Sequence, residues 1–371
     1  MVGKNLGTKY LKTVKLFVKL WYILLLGKSG IQMKKTLIFT ILMLLLPLST
    51  FADELKTIEL QKSEIWEFNR FNVFFENDLF STTDSQYSSG EKFTLIYHVI
   101  NPSNPLYDIL YLDYGVTDEY VSFSIINQMY TPADLTQTAL IEDDRPYAGW
   151  TYLEYGVHKS SKTNLRSLYL HVGMVGPASK TEEIQSIIHE VSESTPPKGW
   201  DNQLENELGV NLKYVQKWRF VPEDLGSFQS SFIPFVQADL GNIATKATGG
   251  LSARFGWNIP KDFGVSTIDS GGEVGVLVLD ECERISRGDW SFSFNLNGYG
   301  SAVARDIFLD GNTFKDSHSV DKENFVAYLG FGFTVRYKNF VVDFIQTKST
   351  PKFKQEKTIH TVGTVVASWL F

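Results

Sequence analysis

The chain has 371 residues and one cysteine, and 43% of its residues are hydrophobic and 14% aromatic, which excludes a disordered chain, a collagen-like repeat and a disulfide scaffold. Its formal net charge is −7, but residues 1–52 hold eight lysines and no acidic residue, so the remainder carries 27 basic against 42 acidic side chains, a net −15. No nucleic-acid partner is expected of that remainder, because phosphate recognition needs basic surface.

The chain opens on two Lys-flanked apolar patches. The second starts at Met33-Lys34-Lys35, runs through Leu37 to Leu48 and closes on Ser49-Thr50-Phe51-Ala52. A charged start, an apolar run of about a dozen residues and a small-x-Ala end are the build of a secretory signal peptide, too short to span a bilayer. Residues 33–52 are therefore expected to be a signal peptide cut after Ala52. Residues 1–32 read as an upstream extension from a misplaced start or as a longer leader, and residues 53–371 as a single domain. The lone mature cysteine, Cys282, cannot form an intrachain disulfide.

Beyond Ala52 no apolar stretch has the length of a membrane helix, and the dominant pattern has period two. Phe71, Val73 and Phe75 alternate with Asn72, Phe74 and Glu76; Phe93, Leu95, Tyr97 and Val99 with Lys92, Thr94, Ile96 and His98. Similar runs surround Leu168 to Met174, Trp290 to Leu296 and Phe325 to Val335. Periodicity alone also fits a soluble β-sandwich. The aromatic character of the apolar face, the charged opposite face and the length of the segments favour an all-β fold, a transmembrane antiparallel β-barrel of about twelve strands. The last segment, Gly363, Val365, Ala367, Trp369 and Phe371, ends on an aromatic residue, like the signal by which the barrel-assembly machinery of Gram-negative bacteria recognises its clients.

One segment has a different period. Ile184, Ile187, Ile188 and Val191 recur at helical spacing over about residues 180–193, with Ser179 and Glu182 spaced as a capping box and Pro196-Pro197 closing the run. Gln185 and His189 share the opposite face, either as a solvated polar surface or as a general base with an orienting neighbour. Glu76-Asn77-Asp78 ends the first strand, and by parity Asp78, and with it Ser88 and Gly90, should face the lumen. With Ser81-Thr82-Thr83-Asp84 these residues offer hard oxygens suited to calcium, or merely form a polar turn at the rim. Asp144-Arg145-Pro146-Tyr147-Ala148-Gly149-Trp150, Lys198-Gly199-Trp200-Asp201-Asn202-Gln203 and Leu309-Asp310-Gly311-Asn312-Thr313-Phe314 complete the polar clusters. No nucleophile elbow and no zinc spacing occurs.

Taken in order, these stretches resemble the lipid A 3′-O-deacylase (LpxR) family of outer-membrane proteins over nearly all of the mature chain. The resemblance implies a twelve-stranded barrel in the Gram-negative outer membrane, with its site near the lumenal mouth at the outer leaflet. It implies calcium-dependent hydrolysis of the 3′-linked acyloxyacyl group of lipid A in lipopolysaccharide. It also implies His189 as general base, Gln185 beside it, Asn77 and Asp78 as calcium-site and support residues, and Ser88 at a hydroxyl position. Where the family has a functional lysine this chain has Gln137, and where it has an acidic residue after the histidine, Thr195, with Glu193 nearby; Arg145 or Lys198 is left to supply positive charge to the substrate. The alternatives are a non-catalytic barrel, as pore or structural protein, and a calcium-dependent phospholipase. A helix lying over the mouth would argue against the pore.

Overall fold

Aromatic and β-branched residues on one face of a strand, with polar residues on the other, need an apolar exterior and a polar interior, and a sheet in lipid must close to satisfy its edges. The structure, a computed structural model, does both. It describes residues 57–60, 64–78, 86–102, 105–110, 118–192, 196–220, 228–265, 267–268, 289–357 and 359–371. The leader, Ser81 to Asp84, Glu193, Thr195 and Cys282 lie outside the described residues.

A short β1 (Thr57–Leu60) is followed by β2 (Glu64–Asn77), β3 (Gln86–Ile100), the one-turn α1 (Leu106–Ile109), β4 (Asp118–Thr131), β5 (Ala148–Ser160) and β6 (Asn164–Val175). After α2 (Thr181–Ser192) come β7 (Glu207–Trp218), β8 (Phe228–Gly241), β9 (Ala244–Trp257) and β10 (Trp290–Asp306). The one-turn α3 (Ile307–Asp310), β11 (Phe325–Tyr337), β12 (Phe340–Ser349) and β13 (His360–Leu370) complete the chain. From β2 to β13 each strand pairs antiparallel with the next, and β13 pairs back onto β2, from Gly363↔Asn77 to Leu370↔Arg70. Twelve strands thus close the barrel, and β1 pairs with the first residues of β2 beyond the last β13 contact.

The parity expected from sequence holds along the walls. Phe93, Phe123, Ile125, Leu153, Leu170 and Phe292 are exposed on the outside. Inside, Lys92 Nζ lies 2.9 Å from Glu154, which also faces His171 at 3.0 Å, and Arg254 lies 2.5 Å from Asp262. At the lower end, where β2 begins, Phe371 packs on Phe68 at 4.7 Å between ring centroids and Trp290 on Tyr337 at 4.5 Å. Such rings suit a membrane interface.

The lumen is occupied by a segment that alternation does not mark. The β9–β10 connection leaves the lower end and its described part climbs inside the barrel. Phe263 is buried with Ile96, Tyr120 and Leu165 while its carbonyl accepts from Lys217 Nζ at 3.4 Å. Higher up, the Ile268 amide donates to Glu76 Oε1 at 2.6 Å. Glu76 also accepts from Thr364 Oγ1 at 2.9 Å and, through Oε2, from the Tyr87 hydroxyl at 2.9 Å. One buried carboxylate thereby ties the lumenal segment to three parts of the upper wall.

Candidate active site

The upper end carries the 132–147, 176–206, 307–324 and 350–359 connections, and the helix expected from sequence is in the second of them. After β6 the chain turns at Gly176 (φ 86°), makes a single 3-10 turn over Pro177–Ser179 and passes through Lys180 in the left-handed region (φ 61°). The capping box is therefore not formed as the spacing suggests: α2 begins at Thr181, whose amide donates to Ser179 Oγ at 3.4 Å. Lys180 turns instead to Glu183 at 2.8 Å.

Thr181 is held to the barrel wall. Asn127 Nδ2 donates to Thr151 Oγ1 at 2.7 Å and to Thr181 Oγ1 at 2.8 Å. Asn127 and Thr151 face each other across β4 and β5, and each has the outward parity of the residue two below it, exposed Ile125 and Leu153. Between them and the rim, a Cβ on Gly149 would collide with Thr181, so only glycine lets the helix come this close. The helix thus lies on the outer surface of the wall and not over the mouth, so it does not by itself argue against a pore. Among the described residues, 259–268 of the β9–β10 connection lie in the lumen.

Placed there, α2 turns its polar face inward. Thr181, Gln185 and His189, four residues apart, are all buried, Gln185 to 1% and His189 to 7% exposure, whereas Ile187 is 47% exposed and Ile184 and Ile188 are half-buried. A solvated polar face is therefore not what the structure shows. Trp200 Nε1 donates to Gln185 Oε1 at 2.7 Å, and Trp200 packs with Met129, Leu135 and Tyr147 beneath Ile184. With its oxygen engaged, Gln185 presents Nε2, which is shut off from solvent and has no hydrogen-bond partner among the described residues. The amide is oriented by the indole, and its donor is left for a substrate atom or for His189 one turn on.

The β2 cluster sits at the same rim. Asn77 is opposite Ser89 and has the outward parity of Phe75, while Asp78, 0% exposed, has left the ladder for a helical turn, so strand parity no longer places it. Ser88 departs from expectation too. The β3–β4 register shifts between Tyr87 and Ser89, so Tyr87 turns into the lumen beside Glu76, and Ser88 Oγ meets Thr131 Oγ1 at 2.5 Å. A bulge adds one residue and resets the alternation, which no composition signal announces.

The two candidate cations separate. Arg145, 1% exposed, lies on the lumenal side: its guanidinium sits 4.8 Å over Tyr130, which stacks on Phe308 at 3.9 Å, and Nη2 donates to the Phe308 carbonyl at 3.4 Å. Lys198 is exposed, and its amide donates to the Leu135 carbonyl at 2.9 Å, which brings it to the loop that carries Gln137. The Asp310-Gly311-Asn312-Thr313 stretch is a clamp: Asn312 exchanges two hydrogen bonds of 2.9 Å with the Glu205 backbone and closes the return from α2. Sequence reading passed over Glu91 and Asn127. Their signal is a charged and an amide side chain at outward positions, where the pattern calls for apolar ones.

Among the described residues no three His, Cys, Asp or Glu side chains gather as a metal cluster. A cation at this rim would depend on amide, hydroxyl, backbone and water oxygens beside a carboxylate, a set that calcium accepts.

In structure the chain is similar to LpxR from Salmonella typhimurium, with 16% identity and a TM-score of 0.65 over 81% of this chain and 100% of that one. It is also similar to the β domain of the Bordetella autotransporter BrkA, with 9% identity and a TM-score of 0.40 over 84% of this chain and 99% of that one. No curated protein matches it in sequence. The family model described as outer membrane protein LpxR matches residues 37–371. With that match over nearly its whole length, the closed barrel belongs to the LpxR family of outer-membrane proteins.

Proposed function

We propose that the protein is an outer-membrane hydrolase that removes the 3′-linked acyloxyacyl group of lipid A, with its site between α2 and the outer wall of the barrel. Family membership supports an enzyme that modifies lipid A in the outer membrane. The observation that carries the finer reading is the inverted helix: Gln185 and His189 are buried against an outward-facing wall whose lower part is exposed and apolar. A lipid substrate can reach such a crevice sideways from the outer leaflet, with its acyl chains still in the bilayer.

His189 takes a proton from water as the water oxygen attacks the ester carbonyl. The tetrahedral adduct then collapses with cleavage of the acyl C–O bond, the 3′ oxygen of the sugar taking the proton back from His189 and leaving as the hydroxyl. The Gln185 Nε2 donor, fixed by Trp200, orients the histidine or the ester. Asn77 and Ser88 place polar groups near the developing oxyanion, where preorganised donors have their largest effect. Asp78 and Asn77 are the residues that would hold calcium, which when bound polarises the carbonyl and offsets the charge that develops on its oxygen. Lys198, beside the Gln137 loop, is placed to meet a lipid A phosphate, whereas Arg145 is held on the lumenal side by Tyr130 and Phe308. Purified protein incubated with lipid A should release the acyloxyacyl acid with calcium and not with chelator. Release from phospholipid but not from lipid A would instead support the phospholipase.

A further inference from the structure

The crevice contains two acceptor oxygens that lack a donor among the described residues. Glu91 on β3 is directly opposite Asn127 on β4, on the outer face and beneath the start of α2. Ser89 Oγ donates to Glu91 Oε1 at 2.6 Å, while Glu91 Oε2 and Asn127 Oδ1 are both shut off from solvent and have no hydrogen-bond partner among the described residues. Asn127 itself is 8% exposed.

The orientation of the Asn127 amide is not arbitrary. The Thr151 hydroxyl donates its one proton to the Ser179 carbonyl at 2.8 Å, so toward Asn127 it can only accept. Nδ2 must therefore face Thr151, and the planar amide turns Oδ1 away from β5. Flipping the amide would give Glu91 a donor but would set two acceptors against each other at Thr151. Residues directly opposite on neighbouring strands have Cβ atoms about 5 Å apart, close enough for both oxygens to meet one ion. Buried acceptors cost free energy unless something positive satisfies them.

We propose that Glu91 Oε2 and Asn127 Oδ1 are ligands of a divalent-cation site on the outer wall beneath α2. Neither residue has a part in the function proposed above, and the site requires no assumption about the reaction. It lies two residues below Asn77 along the ladder, opposite Phe75, and Ser89 connects the two: Ser89 is opposite Asn77 and hydrogen-bonds Glu91. A carboxylate, an amide oxygen and waters are the hard, flexible ligands that calcium takes. An ion here would join β3 to the strand that mounts α2, and so tie the helix to the wall.

The test is calcium titration of the chelator-treated full protein in detergent, by calorimetry and by the calcium-induced rise in melting temperature. It would compare wild type with Glu91→Gln and Glu91→Ala, each first shown to be folded by heat-modifiable migration. Glutamine keeps the shape and can donate to Asn127 Oδ1, so Glu91→Gln should melt at least as high as wild type without calcium. Removing the charged ligand should weaken the binding event at this site about tenfold or more in both variants, apart from any calcium held by Asp78 and Asn77. Calcium binding equal to wild type in Glu91→Gln overturns the proposal and means that the two oxygens share a proton. Absence of calcium binding by wild type overturns it too. Loss of binding in both variants while wild type leaves lipid A intact keeps the cation site and removes the deacylase. Deacylation by wild type with binding unchanged in both variants does the reverse.

Discussion

Gln185 and His189 are costly residues to bury unless their polar atoms are used, and the structure shows how the first is used. Its oxygen is fixed by Trp200 and its nitrogen is presented to the crevice. Trp200→Phe leaves Gln185 free to turn, so the turnover rate should fall about five- to tenfold, the value of one lost hydrogen bond, while circular dichroism and melting stay close to wild type. In the 350–359 connection, burial raises the Glu356 carboxyl above the usual carboxylate range. The Lys352 amide and the charges of Lys352 and Arg145 oppose the rise, and Asp144 adds to it. A carboxyl harder to ionise in the fold than in the open chain stabilises this loop below the ordinary carboxylate pKa, and that contribution is lost as pH rises through the elevated value. Limited proteolysis of the loop should accelerate from acid toward neutral pH in wild type, with a flatter profile in Glu356→Gln. At this scale the sequence offers candidate residues more readily than it shows where they point. Asn77, Gln185 and His189 are legible from type and spacing, but the bulge at Ser88 and the helical turn at Asp78 break the parity used to orient their neighbours.

At the scale of elements, the helical period of Ile184, Ile187 and Ile188 is plain, and α2 forms where it predicts. Its orientation could not be inferred, because an apolar stripe ordinarily seeks a core and here the outside is lipid. What fixes the helix is a set of small contacts at its start: Asn127 to Thr181, Thr151 to the Ser179 carbonyl, and the missing side chain of Gly149. Gly149→Leu should push α2 off the wall. Hydrogen exchange should show the α2 amides losing protection and activity should fall, while barrel melting changes little because the strand ladder is untouched. Unchanged exchange in α2 would mean that the helix is held from elsewhere.

For the whole molecule, the strand count, the closure and the aromatic terminus followed from alternation and from the need to satisfy backbone groups in lipid. The lumenal segment did not, because Asn258 to Ile268 has no alternation and its contacts, Lys217 to Phe263 and Glu76 to Ile268, are distant in sequence. With polypeptide inside it, the barrel should conduct poorly: planar-bilayer recordings of wild type should show little ion current, and deletion of residues 259–268 should open the lumen and raise it. Large steady currents from wild type would favour the pore.

Under the proposed function, a crevice on the outer wall, with His189 in it, cleaves an ester of lipid A. Mass spectrometry of lipid A from cells that produce the protein tests it directly. The expected result is loss of the 3′ acyloxyacyl group, dependent on calcium and abolished in a folded, membrane-inserted His189→Ala variant, a loss of about 10²- to 10⁴-fold in rate. Lipid A unchanged by a folded wild-type barrel, or deacylated equally by His189→Ala, would contradict it.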